Sequence, residues 1–424
     1  MTTMEHDALA QAQALDAADP LATFRDRFAW PRGRDGRRKV YLCGNSLGLQ
    51  PLAAGERVNE VLRDWATMGV EGHFRAERPW VPYHEAAAPL LAELIGCAED
   101  EVVAMNTLTI NLNLLMLSFY RPTDARWKIL IEADAFPSDR YAVQSQLDWH
   151  GRDVESGIVE WTRGDGGYAV DALPALLDAN PEIALILLPG VQYLTGDVLD
   201  MPAITTLARE RQIPIGLDLA HAIGNVPMRV SDWGVDFAVF CTYKYLNAGP
   251  GAVAGAYVAR QHHTSDLPRL HGWWGNDAST RFEMRDDFDP APGVDAWQQS
   301  NPPVLGLAPV VVGLELFHEA GIERLRDKSI ALTGYLEQRL AARCGDRVRV
   351  VTPAAPEQRG CQLSLAVNGS TQSGRSVFEH LDAHDVVCDW REPNVIRVAP
   401  APLYNSFEDC WHFVERLHEA LEAS

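Results

Sequence analysis

IPIGLDLAHAIGNVPMRVSDWGVDFAVFCTYKYLNAGPG, residues 213–251, holds two short apolar runs that each end in a charged residue. IPIGLDLA (213–220) reads as a strand with Asp218 near its end, and DFAVFCTY (236–243) as a second strand delivering Lys244 to the turn NAGPG. Neither run alternates apolar with polar, so both strands are buried on two faces, as in a parallel sheet covered by helices. The same pattern extends outward. WKILIEA (127–133) and IALILLPG (183–190) read as buried strands, and GAVAGAYVA (251–259) as a glycine-rich one. A helix is expected from Ser138 to His150, and another over MPAITTLARERQ (201–212), which has a proline near its start. Strands alternating with helices give an α/β fold with a large, mostly parallel sheet, and ligands gather at the carboxyl ends of such strands.

Further along, the pattern changes. One long helix is expected over roughly 307–345, then short strands at VRVV, CQLSLAV and NVIRVAP and helices at about 373–384 and 406–422. This reads as a smaller α+β domain. The expected division is an N-terminal segment, 1–57, packing with the small domain, a large domain, 58–310, and a small C-terminal domain, 311–424, joined through the Pro/Gly-rich stretch 289–310. The formal charge is −21, which disfavours nucleic acid and anionic membrane as partners. The basic stretch PRGRDGRRK (31–39) is expected to be a solvated loop. Seven scattered cysteines without a CxxC pair argue against a disulfide framework and against a metal site. The acidic opening MTTMEHDALAQAQALDAADP does not read as a signal peptide, and no apolar run reaches membrane-span length. The expected location is the cytoplasm.

A lone loop lysine is usually a surface group. Lys244 differs because an apolar strand carries it to the ligand edge, and the turn after it allows close backbone approach. A lysine that forms Schiff bases must lose its proton, which suits a desolvated cleft. Asp218, at the end of an apolar strand, must be paired. It is either half of a salt bridge or the partner of a protonated pyridine nitrogen, the arrangement that makes pyridoxal phosphate (PLP) an electron sink. His221 either faces such a cofactor or is a structural hydrogen-bonding group. In NTLTINLNLLMLSFY (106–120), Thr107 and Thr109 open a helix. They are ordinary caps or mark a phosphate at the helix N-terminus. AFPSD (135–139) opens the next helix, with Ser138 or Asp139 as a cap and Phe136 able to stack on a flat ring. Arg397 in NVIRVAP is a surface residue or a bidentate clamp for a carboxylate.

Together, GNSLGLQP (44–51), RPWVPYH (78–84), FPSD (136–139), GLDLAHAIGN (216–225), CTYKYLNAGPG (241–251), GWWG (272–275), STRFEM (279–284), SNPPV (300–304) and IRVAPAPLYNS (396–406) resemble the kynureninase family, colinearly over nearly the whole chain. The resemblance implies a fold-type-I PLP enzyme, a homodimer with its site at the interface. Its reaction would be hydrolysis of L-kynurenine or 3-hydroxy-L-kynurenine to an anthranilate and L-alanine, in tryptophan degradation and NAD biosynthesis. Lys244 would carry the cofactor and Asp218 would bind its pyridine nitrogen. Phe136 would stack on the ring, and Leu108, Thr109, Pro137, Ser138, Asp139, His221 and Tyr243 would complete the shell. Tyr243 would also relay protons. Trp273 and Asn301 would reach the site from the partner subunit. Arg397 would hold the substrate carboxylate, and Ser46, His73, Ser300 and Asn301 would line the rest of the substrate pocket. Polar residues at His73, Ser300 and Asn301 imply a preference for 3-hydroxykynurenine, because a site that hydrogen-bonds a hydroxyl rejects the analogue lacking it. Pro189 stands where the family often has a small polar residue, which puts that loop's cofactor contact in doubt. Two rivals remain. One is a cysteine desulfurase or selenocysteine lyase, with Cys344 or Cys361 as nucleophile. The other is an inactive PLP-fold scaffold, against which intact Lys244, Asp218 and Arg397 count.

Overall fold

The computed structural model describes residues 3–423; residues 1, 2 and 424, at the outer ends of the expected domains, lie outside it. Seven strands form the large sheet: β1 (Val102–Ala104), β2 (Lys128–Glu132), β3 (Ile158–Trp161), β4 (Ile183–Pro189), β5 (Ile215–Asp218), β6 (Phe237–Phe240) and β7 (Gly255–Val258). Their order is β1-β7-β6-β5-β4-β2-β3. β7 runs antiparallel to both of its neighbours, and every other pairing is parallel. Six strands therefore point one way and end at one edge. β4 is buried at every position, which its unbroken Ile/Leu run requires.

The glycine-rich strand is shorter than expected and reversed in direction. Gly249 (φ 90°) and Gly251 (φ 70°) take left-handed conformations, so the chain turns there and enters β7 only at Gly255. The expected long helix is also corrected. It is two helices, Val304–Ala320 and Ile322–Cys344, bent by 80° at Gly321, whose φ of 77° a helix cannot accommodate. The packing follows this break. Buried residues of Val304–Ala320 join the core of the large sheet, and those from Leu332 onward join a second core. The change of core thus falls within the helix Ile322–Cys344 rather than at 310/311. The stretch 289–310 is no free connector either, since Val294, Ala296 and Trp297 are buried against one face of the sheet.

The second core sits on an antiparallel sheet in which Asp389–Arg391, Val395–Val398, Leu363–Val367 and Val348–Val350 lie side by side. Helix Thr371–Ala383 packs on it, and helix Phe407–Ala423 packs on that helix, on Ile322–Cys344 and on the N-terminal helix Thr3–Ala17. The N-terminal segment serves both cores. Ala8, Ala12 and Leu42 belong to the small-sheet core, whereas Leu21, Phe24, Phe28, Tyr41 and Leu49 belong to the large one. A parallel pair, Val40–Tyr41 with Val386–Val387, fixes the crossing. No single helix among the described residues is long and apolar enough to cross a membrane.

Candidate active site

β5 and β6 are adjacent and parallel, so Asp218 and Lys244 reach the same edge of the sheet from neighbouring strands. Around them close Leu108, Thr109, Glu132, Phe136, Ser138, Asp139, Pro189, Val191, Tyr193, Ala220, His221 and Tyr243. Two helices begin at this cavity, Leu108–Phe119 and Pro137–Trp149. Their first turns bring the hydroxyls of Thr109 and Ser138 to 2.7 Å from each other. Neither helix uses a side-chain cap, and Ser138 and Asp139 lie inside the first turn with Phe136 at the cap position. Thr107 thus holds the expected cap position without a side-chain cap bond, and the capping reading of Ser138 and Asp139 is corrected. Thr109 and Ser138 instead present hydroxyls beside free helix N–H groups, the surroundings a phosphate takes.

The Lys244 amine lies 6.0 Å from the centre of the Phe136 ring and 5.9 Å from that of Tyr243. Its turn is braced by GNSLG. The Gly48 N–H donates to the Tyr243 carbonyl at 2.9 Å, and a Cβ on Gly48 would stand 2.3 Å from the Lys244 carbonyl oxygen, so only glycine fits. Ser46 sits on that same turn, its N–H donating to the Cys43 carbonyl at 3.0 Å.

Asp218 is buried, and its Oδ1 accepts from the Ala220 N–H at 2.7 Å. Beside it Asp139 has a buried Oδ1 without a protein partner, and His221 a buried Nδ1 in the same state. Burial, reinforced by the Asp218 charge, pushes the Asp139 carboxyl well above its ordinary value. Burial pushes Glu132 up to about 8. Burial and then the Lys244 charge push His221 far down, so it stays a neutral imidazole. The Tyr243 phenol is driven upward by burial and remains a donor. A lysine amine, a buried carboxylate at a strand end, a flat aromatic ring and two hydroxyls at helix starts, in one cavity with the orphaned Asp139 Oδ1 and His221 Nδ1, fit PLP.

Of the remaining expected residues, Arg397 lies just outside this wall. Its guanidinium is 6.0 Å from the centre of the Tyr193 ring, which in turn packs edge-on to Phe136 at 5.1 Å. Pro137 begins its helix behind Phe136. His73, Trp273, Ser300 and Asn301 do not line the Lys244 cavity of their own chain. His73 bonds the Val70 carbonyl through Nδ1 at 3.0 Å and meets Trp80 edge-on. Trp273 is 46% exposed and contacts Phe282, which also contacts the exposed Phe74. Pro189 does line the cavity, as do Glu132, Val191, Tyr193 and Ala220, which the sequence reading did not single out. Glu132 carries the same signal as Asp218, an acid closing an apolar strand.

The chain matches the kynureninase C-terminal domain model over residues 325–417. It is 54% identical over 409 residues to a kynureninase of Xanthomonas oryzae pv. oryzae (strain PXO99A), covering 96% of each chain. It is 53% identical over 411 residues to that of Xanthomonas axonopodis pv. citri (strain 306), covering 96% of this chain and 97% of the other. The chain belongs to the kynureninase family. Like the family, it is a PLP-dependent hydrolase acting on a carbon–carbon bond. Its fold is shared with the cysteine desulfurase CsdA of Escherichia coli (TM-score 0.78, 20% identity, 95% of this chain and 98% of that one). The cystine C-S lyase C-DES in complex with cysteine persulfide is similar too (TM-score 0.72, 18% identity, 90% and 97%). These two likenesses concern the fold alone. The cysteines that a desulfurase reading needs are unsuited to nucleophilic work. Cys344 ends a helix and Cys361 is fully buried, and burial pushes their thiols up to about 11 and about 12.

Proposed function

We propose that this kynureninase-family chain cleaves the Cβ–Cγ bond of 3-hydroxy-L-kynurenine in preference to L-kynurenine, adding water and releasing 3-hydroxyanthranilate or anthranilate plus L-alanine. The setting would be tryptophan degradation and NAD biosynthesis in the cytoplasm. The observation that carries the reading is the meeting of Lys244, Asp218 and the Thr109–Ser138 hydroxyl pair in one cavity.

When bound, PLP supplies an electron sink that stabilises negative charge on carbons next to the amino group. Lys244 would hold the cofactor, and its amine would take the proton from the substrate Cα. Asp218, whose Oδ1 accepts from the Ala220 N–H and which is also hydrogen-bonded with Asp139, would hold the pyridine nitrogen in its protonated form. Asp139, its carboxyl pushed upward by burial and by the Asp218 charge, avoids placing a second carboxylate charge beside Asp218. Thr109 and Ser138 bind the phosphate, with Leu108 and Pro137 setting their two helix starts. Phe136 covers one face of the ring. Neutral His221 offers its free Nδ1 to the cofactor. Tyr243, protonated and next to Lys244, relays protons when water adds to the γ-carbonyl and when Cβ leaves. Arg397 takes the α-carboxylate, and Ser46 borders the substrate from the GNSLG turn.

The exposed Phe74, Trp273, Phe282 and Met284 support a homodimer in which Trp273 and Asn301 complete the partner's pocket. His73 and Ser300 would then line the aromatic end. Product analysis after incubation with kynurenine, 3-hydroxykynurenine and cysteine tests the proposal. Anthranilates with alanine are expected. Sulfide or persulfide from cysteine, with no anthranilate, would overturn it.

A further inference from the structure

Arg397 and Asp389 are cross-strand partners on the antiparallel strands Val395–Val398 and Asp389–Arg391, so their side chains share a face of the small sheet. Asp389 Oδ2 accepts from Arg397 Nη2 at 2.6 Å and from Arg391 Nη2 at 3.1 Å. On its other side, Arg397 Nη1 donates to the Tyr193 carbonyl at 2.7 Å. That carbonyl belongs to a cavity residue beside Lys244, and Tyr193 is held in place by Gln362, whose Nε2 donates to the same carbonyl at 3.0 Å. Gln362 Oε1 in turn accepts from Asn45 Nδ2 at 2.9 Å. The guanidinium is thus pinned between two acceptors from two parts of the chain.

The cluster is one anion short. Two arginines share one carboxylate, and Arg397 is only 1% exposed, so its charge cannot be left to water. Three of its five N–H groups remain free, counting Nε and one hydrogen on each terminal nitrogen. Its Nε, the Nε of Arg391 and the Oδ1 of Asp389 are all buried without a protein partner. We propose that Asp389 is a positioning residue: with the Tyr193 carbonyl it fixes the Arg397 guanidinium so that the free N–H groups take the substrate's α-carboxylate, which supplies the missing anion. The proposal rests on the reading of Arg397 as the carboxylate clamp.

The test uses the PLP-loaded enzyme and two probes, L-alanine and ethylamine, which differ by the carboxylate alone. Binding is followed by the change each causes in the cofactor's absorbance. Asp389→Ala is expected to weaken alanine by about tenfold or more, with ethylamine held within about twofold. It should raise the substrate KM by a like factor, with kcat within about threefold of the parent. Asp389→Asn keeps an acceptor oxygen and loses the charge, so it should fall between; if the alanine variant does not fold, the asparagine one decides. Equal weakening of both probes, or a fall in kcat alone, means a merely structural role and overturns the proposal. Arg397→Lys separates the two layers. If it weakens alanine while neither Asp389 variant does, the Asp389 proposal fails and the clamp stands. If it leaves alanine unchanged, the clamp reading fails and takes the proposal with it.

Discussion

Replacing Asp218 by asparagine removes one charge and almost no volume, and the structure says which way the new amide points. The Ala220 N–H, 2.7 Å from Oδ1, needs an acceptor. It therefore holds the amide oxygen and turns the Asn NH2 toward the cofactor. A donor then faces the pyridine nitrogen, which can meet it only by giving up its proton. Losing one partner of a buried ion pair costs about 3–5 kcal/mol. At about 1.4 kcal/mol per power of ten, that is a loss of roughly two to three and a half powers of ten in turnover. Asp139 argues for the lower end. Burial is the larger reason for its raised pKa, but the Asp218 charge is the next, and that cause disappears in the variant. Its carboxyl then ionises more readily and takes over part of the work. The expectation is a kcat loss near a hundredfold for Asp218→Asn, by the same conversion, and a larger one for Asp218→Asn with Asp139→Asn. The assay is steady-state turnover on 3-hydroxykynurenine at saturating PLP, with cofactor affinity titrated by absorbance. Turnover within a few-fold of the parent in the single variant would refute the charge role of Asp218. A double variant no worse than the single one would refute the compensation by Asp139.

Lys244→Ala should abolish turnover and the cofactor's covalent absorbance while leaving the thermal midpoint near the parent's; a borohydride-reducible adduct of PLP on any lysine of the variant would show that the assignment is wrong. Glu132→Gln should flatten the pH dependence of stability. Its folded pKa, about 8, lies above the ordinary 4.5, so the folded chain keeps a proton that the unfolded chain sheds. Stability is full below about 4.5 and is lost as pH rises through about 8, at up to about 1.4 kcal/mol per unit. The glutamine variant should therefore gain on the parent between pH 5.5 and 8.5 in denaturant titrations, and a constant difference would contradict the burial of this acid. His73→Trp together with Asn301→Thr should narrow or reverse the preference for 3-hydroxykynurenine in kcat/KM, and equal efficiency on both substrates in the parent would remove the basis for that preference.

The large sheet was legible because its parallel strands are buried on both faces, and burial on both faces writes itself as unbroken apolar runs such as IALILLP. β1 and β3 went unread for a matching reason. β1 has only three residues behind the acidic turn Glu99–Glu101, and β3 carries an exposed Glu160 between Val159 and Trp161, so neither stands within a long unbroken apolar run. The break at Gly321 was hidden because apolar periodicity continues on both sides of it, and a single glycine does not announce its φ. In the site, Lys244 and Asp218 were legible as charges that an apolar strand has no reason to carry, and by that rule Glu132 was readable as well. Tyr193 was not. It acts through its carbonyl, and a backbone acceptor has no residue type.

The same distinction explains why Arg397 was seen without Asp389. NVIRVAP offers an arginine at a strand end, a familiar pattern for a clamp, whereas CDWREP offers an acid flanked by polar and aromatic residues, which reads as surface. Only the cross-strand register makes the two partners, and register lies in the pairing of two segments rather than in either one. A carboxylate clamp built this way has a consequence for the chemistry. The guanidinium is oriented by the small sheet and by a loop of the large domain at once, through Asp389 and Tyr193. Binding a carboxylate there ties the two cores together across the cavity that holds Lys244. Through the proposed clamp the carboxylate's binding energy would seat the α-carbon over the lysine equally in the ground and transition states, which is the form in which binding lowers KM and leaves kcat nearly unchanged.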